Sequence, residues 1–355
     1  MSEVEEELRG TVRGMLATLS PPERVLARCE EGRPSDPDLW RTLAVEMGLA
    51  GLAVPERYGG GGAGLREAAV VLEELGRSVA PVPYLGSAVV ATSALLAVDD
   101  RDLLTDLAAG HATAALAVPF ATPPGSPPAL QVDRDAVTGT VPGALDALAA
   151  DVLLVPTVDG LYAVPAPAPG VERHPVVSLD LTRPLCDLVL TGAPGRRLAS
   201  GDAAREAVTA ALTAGAALLA SEQLGLAQWC LDSTVEYVKT RHQFGRPVGS
   251  FQAVKHRLAD RWVELSQARA VAGNAAAAPG DPVAAALAQA FCGPMAVTAA
   301  EECVQLHGGI GFTWEHPAHL YLKRAKSAAV GFGTADRHRA TLAELVNLPP
   351  PRHTG

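Results

Sequence analysis

From Ala203 to Arg241 the chain contains no proline and only two glycines, which predicts one helix of about ten turns. A helix of that length needs neighbours along its whole course, and the sequence supplies them. Further helical stretches are expected from Ser250 to Ala277, Pro282 to His307, Pro317 to Ala329 and Ala335 to Val346, with Ser250 capping the first. This order describes an antiparallel helical bundle over residues 196–355.

The preceding chain has two other textures. DLWRTLAVEMGLAGL and LREAAVVLEELGRSVA space apolar residues three and four apart, so residues 1–110 read as an N-terminal helical domain. VPERYGGGGAG between them lacks the GK[ST] of a P-loop and is expected to be a flexible connector. From 111 to 195 short apolar stretches, AALAVPF, DVLLVPTV, GLYAVPA and CDLVLTG, alternate with Pro, Gly and Asp about every ten residues, and predict a small antiparallel sandwich or barrel with proline-bearing edge strands. The fold class is therefore α+β, helices followed by a middle β domain and a C-terminal bundle.

Composition removes several functions. A formal net charge of -10 argues against nucleic-acid binding, which needs a basic face. Five scattered cysteines without a CxxC pair suit buried thiols in a reducing compartment, and no secretion signal or membrane-spanning run is expected. The reading is a cytoplasmic protein. His316 and His319 lack a third ligand, so no metal site is expected. Cys230, with no nearby histidine in sequence, reads as core, and Trp314 either lines a pocket or packs the bundle.

The densest polar cluster is YVKTRHQFGRPVGSFQAVKHRLAD. Gly245 and Pro247 suffice for a helix hairpin, but Arg241, Gln243 and Gln252 around Phe244 also offer a guanidinium to a pyrophosphate and amides to an adenine or ribose edge. This stretch, together with QLHGGIGFTWEHP, GLAVPERYGGGG and VLEELGRSVAP, resembles the acyl-CoA dehydrogenase family from about Trp40 to Val346. The resemblance implies FAD, an acyl-CoA thioester substrate, and electron transfer flavoprotein as acceptor. It also implies that Arg241, Gln243, Phe244, Gln252, Gln305, Gly308 and Gly309 touch the ADP half of a neighbouring subunit's FAD, with Thr334 retained from a second cofactor-side motif.

The same resemblance exposes losses. Family members carry the proton-abstracting glutamate about 23 residues after the second Gly of the GG pair, which here is Phe332, beside the retained Gly333 and Thr334. The alternative base position, ten residues before the Gly of GLAQ, is Gly215. Glu222, seven residues further on, lies about two turns away and reads as a structural contact, and Asp336 as an acid at a helix start. VPFATPPGSPP keeps only Gly125 and Ser126 of a TEPxxGSD-like motif. PGALDA puts Gly143 and Leu145 where a WITN-like motif has Trp and Thr. Arg183, in a loop between strands, is a candidate neighbour of the acyl site.

The retained motifs are those offered to a neighbour, and the damaged ones serve the chain's own ring and substrate. The expectation is the base-less subunit of a heteromeric, sterol side-chain type acyl-CoA dehydrogenase, α2β2 with a second, base-bearing chain. The alternatives are a homomer with a non-standard base, a flavin-free structural subunit and a flavin monooxygenase on the same fold.

Overall fold

The computed structural model describes residues 2–33, 35–125 and 127–349; Ser126 and most of the LPPPRHTG tail lie outside these. The N-terminal helices are α1 (Glu3–Leu19), α2 (Pro22–Glu30), α3 (Pro37–Arg41), α4 (Leu65–Arg77), α5 (Thr92–Val98) and α6 (Arg101–Ala108), with a wide-turn π segment, Tyr84–Ala91, running into α5. Helix α1 starts at a complete capping box, Ser2 with Glu5, and is tied to α4 by Arg9, which bonds Glu73 and Glu74 at 2.8 Å each.

Eight strands follow: β1 (Ala114–Leu116), β2 (Gln131–Asp133), β3 (Ala136–Leu145), β4 (Val152–Thr157), β5 (Gly160–Pro165), β6 (Val171–Pro175), β7 (Leu185–Pro194) and β8 (Arg196–Ser200). They form two sheets, ordered β1-β4-β5-β8 and β2-β3-β7-β6. The sandwich is not wholly antiparallel, because β1 pairs parallel with β4, Ala114 opposite Val152. Leu153 and Val155 of β4 face the second sheet while Leu154 joins the helical core. Strand β4 is thus covered on both faces, which is why its sequence is a continuous apolar run rather than an alternating one.

The bundle comprises α7 (Gly201–Thr240), a two-stranded hairpin of β9 (His242–Gln243) and β10 (Arg246–Pro247), then α8 (Gln252–Ala277), α9 (Pro282–His307), α10 (Ala318–Ala328) and α11 (Ala335–Leu345). Helices α7 and α9 are long and apolar enough to cross a bilayer, but those stretches are 89% and 61% buried inside the protein. Helix α9 continues through Pro294. Proline removes the hydrogen bond to the carbonyl four residues back, and that carbonyl, Ala290, accepts from Arg339 Nη2 of α11 at 3.3 Å instead.

Two expectations are corrected here. Ser250 does not cap α8; the cap position is Phe251, and the Ser250 hydroxyl is buried without a hydrogen-bond partner among the described residues. The glycine run is a pinned turn rather than a flexible connector. Gly61 N donates to Gly51 O and Gly62 N to Val54 O, both at 2.9 Å, and a Cβ on Gly60 would lie 2.1 Å from Val54 O.

Helices α4 and α7 meet at backbone distance. A Cβ on Gly76 would sit 2.1 Å from Glu222 O, and one on Gly225 would sit 1.8 Å from Glu73 O. Each glycine therefore lets the other helix's carbonyl approach. At the same crossing Glu222 is buried between Arg183, from the loop before β7, and Arg324 of α10; it bonds Arg183 and, at 2.9 Å, Arg324 Nε. Burial pushes the Glu222 carboxyl up, but the two guanidiniums outweigh it and hold it down at about 2.

Two stability measurements follow. Gly225→Ala must push backbone against backbone, and should lower unfolding stability by about 3 kcal/mol or more; a wild-type denaturation curve would contradict the close crossing. Glu222→Gln leaves two buried cations under-compensated and should cost about 3–5 kcal/mol at pH 7. Since the folded-state pKa of Glu222 is depressed, its contribution is complete above about 4.5 and lost as pH falls toward about 2. The gap between variant and wild type should close over that window, and a gap unchanged there would show that the charge is not what matters.

Candidate functional site

The Phe332 loop joins α10 to α11. Phe332 is 2% exposed and has a φ of 53°, a left-handed conformation that is a genuine outlier for an aromatic residue. Three contacts hold it there. Its N–H donates to Phe120 O at 2.8 Å, its carbonyl accepts from His338 Nε2 at 2.9 Å, and its ring meets Phe120 edge to face at 5.4 Å. Burial lowers the His338 pKa, against the raising pull of this bond to the Phe332 carbonyl.

The Phe332 ring occupies the space opposite Gly215. A Cβ on Gly215 would stand 2.7 Å from Phe332 Cζ and 2.9 Å from Val90 Cγ2. The two positions where the sequence led us to look for a base thus face each other, one filling the gap left by the other. What remains is a cavity of about 10 Å³, lined by apolar side chains including Leu116, Val118, Leu145 and Leu212, at the limit of what one water needs. No carboxylate lines it. Leu145 faces it with a hydrocarbon side chain, and Gly143 sits at a register irregularity within β3 with φ 57°.

The other acids near this region are engaged. Glu222 is clasped by Arg183 and Arg324, so at neutral pH it is a stable carboxylate with little basicity, and its role is structural. Arg183 also lies over the Phe120 ring at 5.0 Å, which links the buried ion cluster to the aromatic pair. Asp336 is in the first turn of α11 and pairs with Arg339 at 2.6 Å. Thr334 caps α11, its Oγ1 accepting from Arg337 N at 3.4 Å; it belongs to the Phe332 loop.

A second, exposed constellation forms at the far end of α7. Arg241 ends the helix, its N–H donating to Tyr237 O at 2.9 Å. Tyr237 stacks on His307 at 4.5 Å, one residue before Gly308, so the hairpin and the GG turn are brought together. Arg241, Gln243, Phe244, Gln252, Gln305, Gly308 and Gly309 are all exposed. Phe244 is 90% exposed, and added Cβ atoms on Gly308 and Gly309 would meet nothing. Arg241 has no ion-pair partner among the described residues, whereas Arg257 is tied to Glu302 at 2.7 Å.

In a chain of net charge -10, residues 239–261 carry six Lys or Arg and one acid. This local basic field, with amides and an open glycine turn, can receive a multiply charged anion. In the sequence, density marks Arg241, Gln243, Phe244 and Gln252, whereas Gln305, Gly308 and Gly309 are implied only by the family resemblance.

Other expectations resolve as follows. His316 and His319 are half-buried rather than surface residues; His316 lies 4.3 Å from the His307 ring, and no group of three metal-ligating side chains occurs among the described residues. Cys230 is fully buried, as expected of core. Cys303 has His307 Nδ1 at 3.6 Å, an i,i+4 pair visible in the sequence but not singled out. Trp314 packs on the surface, against His319 at 4.6 Å and beneath Lys323 at 4.8 Å.

Comparison with known proteins agrees with this architecture. The acyl-CoA dehydrogenase C-terminal domain family matches residues 205–346 and its N-terminal domain family residues 2–98. "Acyl-CoA dehydrogenase IpdE2" of Mycolicibacterium smegmatis is 40% identical over 93% of this chain and 94% of its own length, and the protein of that name from Mycobacterium tuberculosis 39% identical over 92% of each. Among solved structures, the Tcur3481-Tcur3483 steroid ACAD matches with a TM-score of 0.85 at 32% identity, covering 97% of this chain and 98% of that one. The ChsE4-ChsE5 complex from Mycobacterium tuberculosis matches at 0.84 and 29%, covering 99% of each. Matched by both terminal-domain families and aligned with such relatives along more than nine-tenths of its length, the chain belongs to the acyl-CoA dehydrogenase family of flavoprotein oxidoreductases.

Proposed function

We propose that this chain is the base-less subunit of a heteromeric acyl-CoA dehydrogenase of steroid degradation, completing the FAD site of a second, base-bearing chain in an α2β2 assembly. The observation that carries this reading is the fit of Phe332 into Gly215. The two positions at which the family resemblance puts a base face each other beside an apolar cavity of about 10 Å³, too small for a flavin ring or a thioester.

The exposed constellation supports the complementary half. Its residues fit the nucleotide end of FAD. Arg241 supplies a guanidinium for the pyrophosphate, Gln243, Gln252 and Gln305 supply amides, and Gly308 and Gly309 allow close backbone approach. Phe244 supplies an apolar cover. FAD, when bound, accepts the hydride removed from the acyl β carbon, and electron transfer flavoprotein is the proposed onward acceptor. This chain's residues anchor and orient the nucleotide, and the proton is taken by the partner.

The surface around this constellation suits a partner chain. Trp262 is 63% and Phe312 73% exposed, and the first three turns of α8 contain no fully buried residue. Exposed aromatics beside a charged rim mark association surfaces. The solved relatives Tcur3481-Tcur3483 and ChsE4-ChsE5, each named for two components, support a mixed assembly and, in the first case, steroid chemistry.

Purification with and without the partner chain tests the reading through the visible spectrum. The chain alone should be colourless and inactive, and the co-expressed assembly yellow and active on an acyl-CoA. Stoichiometric flavin and turnover by the chain alone would sink it. In the assembly, Arg241→Ala removes a charge-assisted contact worth about 1.5–3 kcal/mol, so FAD affinity should drop about 10- to 100-fold; unchanged occupancy would remove the cross-subunit role. Phe332→Glu should not create activity. It places a carboxylate in an apolar cavity in a left-handed conformation, and should lower stability by about 3 kcal/mol or more, as thermal unfolding would show.

A further inference from the structure

A separate cleft of about 320 Å³ lies between the N-terminal helices and the β domain, walled by Pro37, Trp40, Pro81, Val82 and Pro184, with Asp146 among its lining. Nothing in the proposed function uses it. Its walls are stiff and apolar. The indole N–H of Trp40 is already committed to Thr113 Oγ1 at 3.1 Å, so Trp40 offers hydrocarbon and aromatic surface. Asp36, at the rim, is held by Leu39 N at 3.1 Å and by Arg28 at 3.4 Å.

Asp146 differs from these groups. It is 8% exposed, and its one hydrogen bond among the described residues is from Gly86 N to Oδ2 at 3.0 Å. The approach requires glycine in the π segment, because a Cβ on Gly86 would stand 2.5 Å from that oxygen. The second oxygen, Oδ1, accepts no hydrogen bond among the described residues, and Asp146 is one of the residues that line the cleft.

Behind Asp146 stand Arg183 from the loop before β7, Arg324 from α10 and Glu222 from α7, with Asp180 3.8 Å from Arg324. The two arginines are balanced by Glu222 and Asp180. Asp146 therefore adds one negative charge without a cation of its own. Burial pushes its carboxyl up to about 6, against the lowering pull of Arg183 and the Gly86 amide, and at neutral pH it is mostly ionised. A buried carboxylate of this kind is stabilised most by a positive charge brought to its free oxygen.

We propose that this cleft binds a compact organic cation, an ammonium group on an apolar ring or chain, with the ammonium on Asp146 Oδ1 and the hydrocarbon against Trp40 and the prolines. The site stands apart from the nucleotide constellation and does not depend on flavin or partner. Binding releases the proton that Asp146 holds in the fraction of molecules still protonated, so affinity is linked to pH through that carboxyl.

The test is calorimetric titration of the intact chain with 2-phenylethylamine and with the neutral 2-phenylethanol, with Trp40 fluorescence as a second readout. The amine should bind saturably and at least tenfold more tightly than the alcohol. Its affinity should fall about tenfold between pH 7 and pH 5, as Asp146 takes up its proton. Asp146→Asn keeps an acceptor for the Gly86 amide and should abolish both the preference for the amine and its pH dependence. Equal affinity for the two probes, amine binding independent of pH, or no saturable binding of either would overturn the proposal. The wild-type pH profile decides the matter if the variant fails to fold.

Discussion

Glu222 is the point at which the three parts of the molecule are joined. Its backbone carbonyl receives Gly76 of the N-terminal domain, and its carboxylate receives Arg183 of the β domain and Arg324 of the bundle. Removing these three charged groups, with Asp180 beside Arg324, from water carries a large desolvation penalty, and only mutual pairing offsets it. The cluster therefore demands a single relative placement of the domains. Through Arg183 stacked over Phe120 that placement extends to the Phe332 loop, so the geometry of the closed cavity depends on the same ions.

Closure of that cavity and openness of the other site arise from opposite uses of the same residue types. Gly215 leaves room that an aromatic ring fills; Gly308 and Gly309 leave room that nothing in this chain fills. Phe332 is buried by three contacts, whereas Phe244 shares its left-handed backbone and stands in solvent. Polar groups divide in the same way. The acids of the interior are paired or hydrogen-bonded, whereas in the basic stretch Lys239, Arg257 and Arg261 are paired and Arg241 has no ion-pair partner among the described residues.

The sequence was most legible where structure is local. The proline-free run of α7 predicted its own helix, and β4 and β5 announced themselves as apolar runs. The count from Gly309 located Phe332. What could not be read depends on contacts distant in sequence. The parallel pairing of β1 with β4 is one case, since strand composition does not encode direction. The Gly60 turn looked flexible because its fit against Val54 is tertiary. Ser250 looked like a cap because the residue type suits that role, yet the helix begins two residues later. The reciprocal fit of Gly215 and Phe332 spans 117 positions, and only the fold reveals it. Asp146 was overlooked although an acid inside PGALDALAA is itself a signal of a buried partner.

The exposed rim of Phe244, Trp262 and Phe312 has a consequence for how such a protein is made. Apolar surface that awaits another polypeptide is a hazard during the interval before that polypeptide arrives, because identical copies meet first when one chain is in excess. On the proposed function, a cell gains most by synthesising this chain in matched amounts and close to its companion, and dosage rather than turnover is the quantity on which selection acts most directly.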